Sequence, residues 1–125
     1  MDEYRVLFID DEEELVSALA ERLEYRGVEA DYSLNGTDAL KKLTEKKYDV
    51  VVLDLKLPGM SGSVVLSHIK QNYPDIPVLM ITGHGSLENG VEEKPPGAYD
   101  YLAKPIELEE LMEKMKEAIE ASNAG

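Results

Sequence analysis

Five short apolar runs recur along the chain: Val6 to Ile9, Val28 to Leu34, Val50 to Leu53, Val78 to Ile81 and Tyr99 to Ala103. Between them, apolar residues fall at helical rather than strand spacing. Short continuous apolar runs suit strands buried on both faces, and strands alternating with helices suit parallel crossovers. The second run is weaker and alternating. A five-stranded, doubly wound parallel α/β domain is therefore expected over residues 1–125, without linker, repeat or low-complexity segment. A chain of this length can bury roughly two thirds of its unfolded surface in one core.

The helical segments have readable ends. The first carries Leu15, Ala18, Leu19 and Leu23, with Asp11 and Glu14 spaced as a capping box and Gly27 as its stop. The next, opened by Asn35, carries Ala39, Leu40 and Leu43, and a third with Val65, Leu66 and Ile69 ends before Pro74. The last runs from about Glu107 through Leu108, Leu111, Met112, Met115 and Ile119, and is expected to fray over residues 122–125. The fourth fits badly. Between Thr82 and Tyr99 the chain reads GHGSLENGVEEKPPGA, with Gly90 inside, Pro95 and Pro96 at the end, and only Leu87 and Val91 as clear apolar anchors. An interior glycine costs about 1 kcal/mol relative to alanine, and proline cannot continue a helix. A short or irregular, weakly held fourth helix is expected, exchanging amide hydrogens faster than the others across residues 86–96.

Charge and composition narrow the function. Thirteen Lys plus Arg stand against 26 Asp plus Glu, a net charge of −13, which argues against nucleic-acid binding by this domain. There is no cysteine, so disulfides and thiolate metal sites are excluded and a reducing compartment is the natural setting. The N-terminus lacks the features of a signal peptide, and no apolar run approaches a membrane span, so a cytoplasmic location is expected. A stand-alone protein and a fragment of a longer one read alike.

In open α/β sheets the ligand crevice lies beyond the carboxyl ends of the strands, near the point where strand order reverses. Asp10 and Asp11 follow the first run, Asp54 the third, Thr82 the fourth and Lys104 the fifth. Each alone has an ordinary reading: a helix cap for Asp11, a strand end for Thr82, a surface position for Lys104. Asp54 has none, because a lone carboxylate is costly to bury and no helix starts beside it to be capped. Together the five are expected to share one edge of the sheet as a site. Clustered carboxylates repel unless one takes up a proton or a cation intervenes, and an all-oxygen donor set suits Mg2+ better than zinc. A carboxylate beside Mg2+, with a lysine and a threonine to hold peripheral oxygens, handles phosphoryl groups, and Asp54 can itself accept one as an acyl phosphate.

The motifs IDDEEE at 9–14, VVVLDLKLPGMSG at 50–62, VLMITGHGS at 78–86 and GAYDYLAKPIELEEL at 97–111 closely resemble the CheY-like receiver domain of two-component response regulators. The resemblance covers essentially the whole chain. It implies a flavodoxin-like fold with strand order 2-1-3-4-5, and phosphoryl transfer to Asp54 from a sensor histidine kinase or a histidine phosphotransfer protein. It further implies that Asp11, Asp54 and the backbone carbonyl of Lys56 hold Mg2+ directly, with Asp10 acting through water. Lys104 would pair with a phosphoryl oxygen, the Lys104–Pro105 bond would be cis, and Thr82 would turn to the phosphoryl group with Tyr101 following it inward. That movement would alter the face made by the fourth helix, the fifth strand and the fifth helix, a face also suited to homodimer formation. The chain departs from the family at Gly90, Glu93, Lys94, Pro95 and Pro96, which puts that output face in question. Lys56 and His84 flank the phosphate position, where they either tune acyl-phosphate lifetime or stand in solvent; His68 is expected at the surface.

Two other classes compete. An aspartate-nucleophile phosphatase of the haloacid dehalogenase type usually has a second aspartate two residues after the nucleophile, where this chain has Lys56. A pseudo-receiver would bind partners without phosphorylation, and the degraded fourth helix is what favours it. The signalling switch, which promotes its own phosphorylation and dephosphorylation and has no separate substrate, accounts for all five site residues.

Overall fold

The apolar runs assemble into one parallel sheet in a computed structural model that describes residues 3–83 and 97–124. Its strands are β1 (Arg5–Ile9), β2 (Glu29–Ser33), β3 (Val50–Asp54), β4 (Val78–Thr82) and β5 (Asp100–Ala103), in the order β2-β1-β3-β4-β5. The helices among the described residues are α1 (Glu13–Glu24), α2 (Gly36–Glu45), α3 (Gly62–Asn72) and α4 (Leu108–Ala124), the last being the fifth helix of the sequence reading. The expected doubly wound architecture and strand order are both present. The expected fourth helix, with Gly90, Glu93, Lys94, Pro95 and Pro96, and the neighbouring His84, lie outside the described residues.

The sheet divides the core into two layers. Val6, Phe8, Val50, Val52, Leu79 and Ile81 pack under α1 and α4, meeting Leu19, Leu23, Leu111 and Met115. The alternate residues Leu7, Ile9, Val51, Leu53, Val78 and Met80 pack under α2 and α3, meeting Ala39, Leu43, Val65, Leu66 and Ile69. Successive strand side chains point to opposite faces, so a strand covered on both sides must be apolar throughout, as β3 and β4 are until their last residues.

Several local expectations are corrected. The capping box of Asp11 and Glu14 does not form: Glu12 is the N-cap of α1 and makes no side-chain capping bond. Asp10 Oδ1 accepts the Glu12 amide at 2.9 Å, an Asx turn that carries the chain one residue further before the helix begins. The buried stripe of α1 is Val16, Leu19, Ala20 and Leu23, with Ala18 exposed; the i, i+3, i+4, i+7 set is anchored on Val16 rather than Leu15. The C-terminal helix continues through Ala124, where the Ser122 hydroxyl donates to the carbonyl of Asp75. Other ends agree with the sequence: Asn35 Oδ1 accepts the Asp38 amide at 2.8 Å at the start of α2, and Gly27, at φ 86°, ends the turn after α1. His68 is exposed on α3. No helix among the described residues is long and apolar enough to cross a membrane.

Candidate functional site

Strand order brings the site together. β1 and β3 are neighbours, with Ile9 opposite Leu53, so the next residues, Asp10 just past β1 and Asp54 at the end of β3, stand side by side at the carboxyl edge of the sheet. This is where the order reverses, since β2 lies beyond β1 on one side and β4 beyond β3 on the other. Thr82 ends β4 opposite Ala103, and Lys104 follows at once, its amide bonded to the Thr82 carbonyl at 2.9 Å. The Lys104–Pro105 peptide is cis.

Asp10 and Asp54 are built alike. Both are buried, and each turns one carboxylate oxygen back onto the amide two residues ahead: Asp10 Oδ1 accepts Glu12 N at 2.9 Å and Asp54 Oδ1 accepts Lys56 N at 3.0 Å. Their other oxygens face one cation. Lys104 Nζ lies 3.1 Å from Asp10 Oδ2 and 3.2 Å from Asp54 Oδ2, and also bonds Glu12 Oε1. Asp54 is thus neither beyond the strand nor unpartnered; it is the last residue of β3 and both of its oxygens are engaged.

The titration shifts follow from this crowding. Burial pushes the Asp54 carboxyl above the usual aspartate range, and the negative charge of Asp10 adds to it; the Lys56 amide and Lys104 oppose the shift without cancelling it. For Lys104, burial alone would lower the ammonium, but the Glu12 and Asp10 carboxylates, followed by Asp54, outweigh it and hold the group above the ordinary lysine range. Asp10, Glu12 and Asp54 can each bring a carboxylate oxygen within 4.8 Å of the others. At full ionisation these three carboxylates against one ammonium leave two negative charges unbalanced. An all-oxygen donor set with that charge fits a hard divalent cation such as Mg2+.

Thr82 contributes a hydroxyl in reserve. Its side chain is buried, and Oγ1 has no hydrogen-bond partner among the described residues. An unsatisfied buried hydroxyl is unfavourable, so a ligand oxygen that reached it would be bound with advantage. Tyr101 is half-buried and packs on the α2 and α3 layer. Asp11 and Lys56 are exposed beside the cluster.

Sequence reading missed two residues here. Glu12 reaches Lys104 across 92 positions, a pairing that no local pattern signals. Gly62, the first residue of α3, lies so close to the end of β3 that a Cβ there would sit 2.4 Å from the Asp54 carbonyl oxygen and 2.6 Å from that of Leu55. The available signal was a glycine directly after the helix cap Ser61, where no turn calls for one.

Comparison with known proteins agrees with this fold. Residues 6–116 match the response regulator receiver domain family. The chain is 40% identical over 124 residues to an NtrX-like response regulator of Rickettsia typhi, covering 98% of this chain and 26% of that protein. It is 34% identical over 114 residues to the DNA-binding transcriptional regulator NtrC of Escherichia coli K12, covering 91% of this chain and 24% of the relative. The chain therefore spans about a quarter of the length of these relatives. Among solved structures, a response regulator receiver domain protein from Clostridium thermocellum superposes with a TM-score of 0.85 at 33% identity, covering 97% of this chain and 98% of the other. Sheet order, site geometry and these matches lead to one conclusion: the chain belongs to the response regulator receiver domain family.

Proposed function

We propose that the protein is a phosphoacceptor switch of a two-component phosphorelay, in which Asp54 takes a phosphoryl group from a phosphohistidine of a sensor histidine kinase or histidine phosphotransfer protein. The observation that carries this reading is the position of Asp54: a buried carboxylate at the end of β3, held by the Lys56 amide and the Lys104 ammonium and flanked by Asp10. Transfer forms a bond between a carboxylate oxygen and phosphorus while the phosphorus–nitrogen bond of the donor breaks, the electron pair remaining on the imidazole. Lys104 offsets the charge on the phosphoryl oxygens, and the rigid Asx turn at Asp54 keeps the acceptor aimed.

On the family pattern, Asp54, Asp11 and the Lys56 carbonyl would hold Mg2+, with Asp10 acting through water. The bound ion supplies positive charge that reduces repulsion between acceptor and donor. Once Asp54 is phosphorylated, the unpartnered Thr82 hydroxyl gains an acceptor, and Tyr101, one residue from the β5 position paired with Ile81, follows it. New charge at one point thereby biases packing at the face of β5 and α4, where partner choice or homodimer formation is read out.

Intact-mass measurement after incubation with Mg2+ and acetyl phosphate tests the reading. Wild type should gain one phosphoryl group and Asp54→Asn should gain none. Equal uptake by both, or none by wild type, would overturn it.

A further inference from the structure

Glu12 has no part in the reading above, yet it holds the ammonium on which that reading depends. A lysine ammonium has three N–H donors, and Lys104 directs itself to three carboxylates, Asp10, Asp54 and Glu12. These partners are not equivalent. The side chains of Asp10 and Asp54 are 5% and 8% exposed, whereas that of Glu12 is 57% exposed. The Glu12 backbone is pinned at the start of α1, its amide on Asp10 Oδ1 at 2.9 Å and its carbonyl accepting the Val16 amide at 3.1 Å. Only its side-chain torsions are free to break the contact.

A phosphoryl oxygen arriving on Asp54 needs a Lys104 donor, and all three are committed. Glu12 is the partner that returns to water at least cost, because its carboxylate is already largely solvated. We propose that Glu12 is a competitive latch: a positioning residue that occupies Lys104 before phosphorylation, is displaced by the phosphoryl group, and thereby limits how fast Asp54 accepts it. The inference rests on Asp54 being the acceptor.

The test compares wild type, Glu12→Gln and Glu12→Ala with acetyl phosphate and Mg2+, where the donor's phosphorus–oxygen bond breaks as the Asp54 bond forms and acetate leaves with the electron pair. Initial uptake, read by intact mass, should rise about two- to fivefold in both variants, the range open to an exposed ion pair. The dissociation constant for beryllofluoride, followed at the Thr82 amide by NMR, should fall by a similar factor. Without any phosphodonor, the Lys104 ammonium nitrogen resonance should move in Glu12→Gln. Unchanged or slower uptake, unchanged beryllofluoride affinity or an unmoved resonance would overturn the latch. Wild type that takes up phosphate while the variants match it defeats the latch alone; wild type that takes up none defeats the assignment of Asp54 as well.

Discussion

At Asp54 and Asp10 the same Asx turn is used twice, leaving one oxygen of each for Lys104. Gly62 guards that arrangement from the other side, since relief of a Cβ at 2.4 Å from the Asp54 carbonyl must move backbone rather than a flexible side chain. Gly62→Ala should cost about 1–3 kcal/mol, as overpacking generally does. It should also slow phosphoryl uptake, read by urea denaturation and intact mass together; wild-type behaviour in both would mean that α3 lifts freely. Asp31 supports a pH prediction. Burial pushes its carboxyl up, but the Tyr48 hydroxyl at 2.6 Å and Lys46 Nζ at 3.1 Å outweigh that and hold it below the usual range. A depressed folded pKa stabilises fully above the unfolded value of about 3.9 and is lost as pH falls through the folded value. The stability difference between wild type and Asp31→Asn should therefore be complete near neutrality and shrink progressively below about pH 4 in urea titrations.

Among elements, α4 shows how an amphipathic helix is held by few residues. Leu111, Met115 and Ala118 are fully buried against β3 and β4, while Arg26 of the turn after α1 reaches Glu109 at 2.7 Å on the surface. The buried side chains dominate, because exposed ion pairs contribute little. Met115→Ala should cost about 2–5 kcal/mol, whereas Val64→Ala, at a 53% exposed position on α3, should stay within about 0.5 kcal/mol of wild type. Thermal denaturation of the two variants separates them, and a similar loss in both would contradict the layer assignment. The ion pair of Lys114 with Asp100, at 2.8 Å, links α4 to the start of β5, so any movement of Tyr101 is registered beside it.

For the molecule as a whole, 26 acidic against 13 basic residues leave a net charge of −13, part of it concentrated at the strand ends. Mg2+ should raise the melting temperature beyond the effect of NaCl at equal ionic strength, since a ligand at about 100 times its dissociation constant adds about 2.7 kcal/mol. That increment should diminish in Asp10→Asn; an increment unchanged by the substitution would place the ion elsewhere. The architecture was legible because burial on both faces of a strand leaves an apolar run, and burial on one face of a helix leaves a 3.6-residue period. Asp10, Asp54, Thr82 and Lys104 were legible for the same reason, each standing where an apolar run stops. The capping box of Asp11 and Glu14 was misread, because Asp10 turns its side chain back on its own backbone and carries the chain past Asp11 before the helix begins. By itself, then, the sequence determined the alternating elements, the parallel sheet and the edge that carries the acidic residues. Only the tertiary structure decided that Asp10 and Asp54 present matched oxygens to one ammonium, that Glu12 joins them, and that Gly62 admits α3 against β3. Periodicity records whether a residue is buried, whereas contacts across 50 or 92 positions depend on which strands become neighbours.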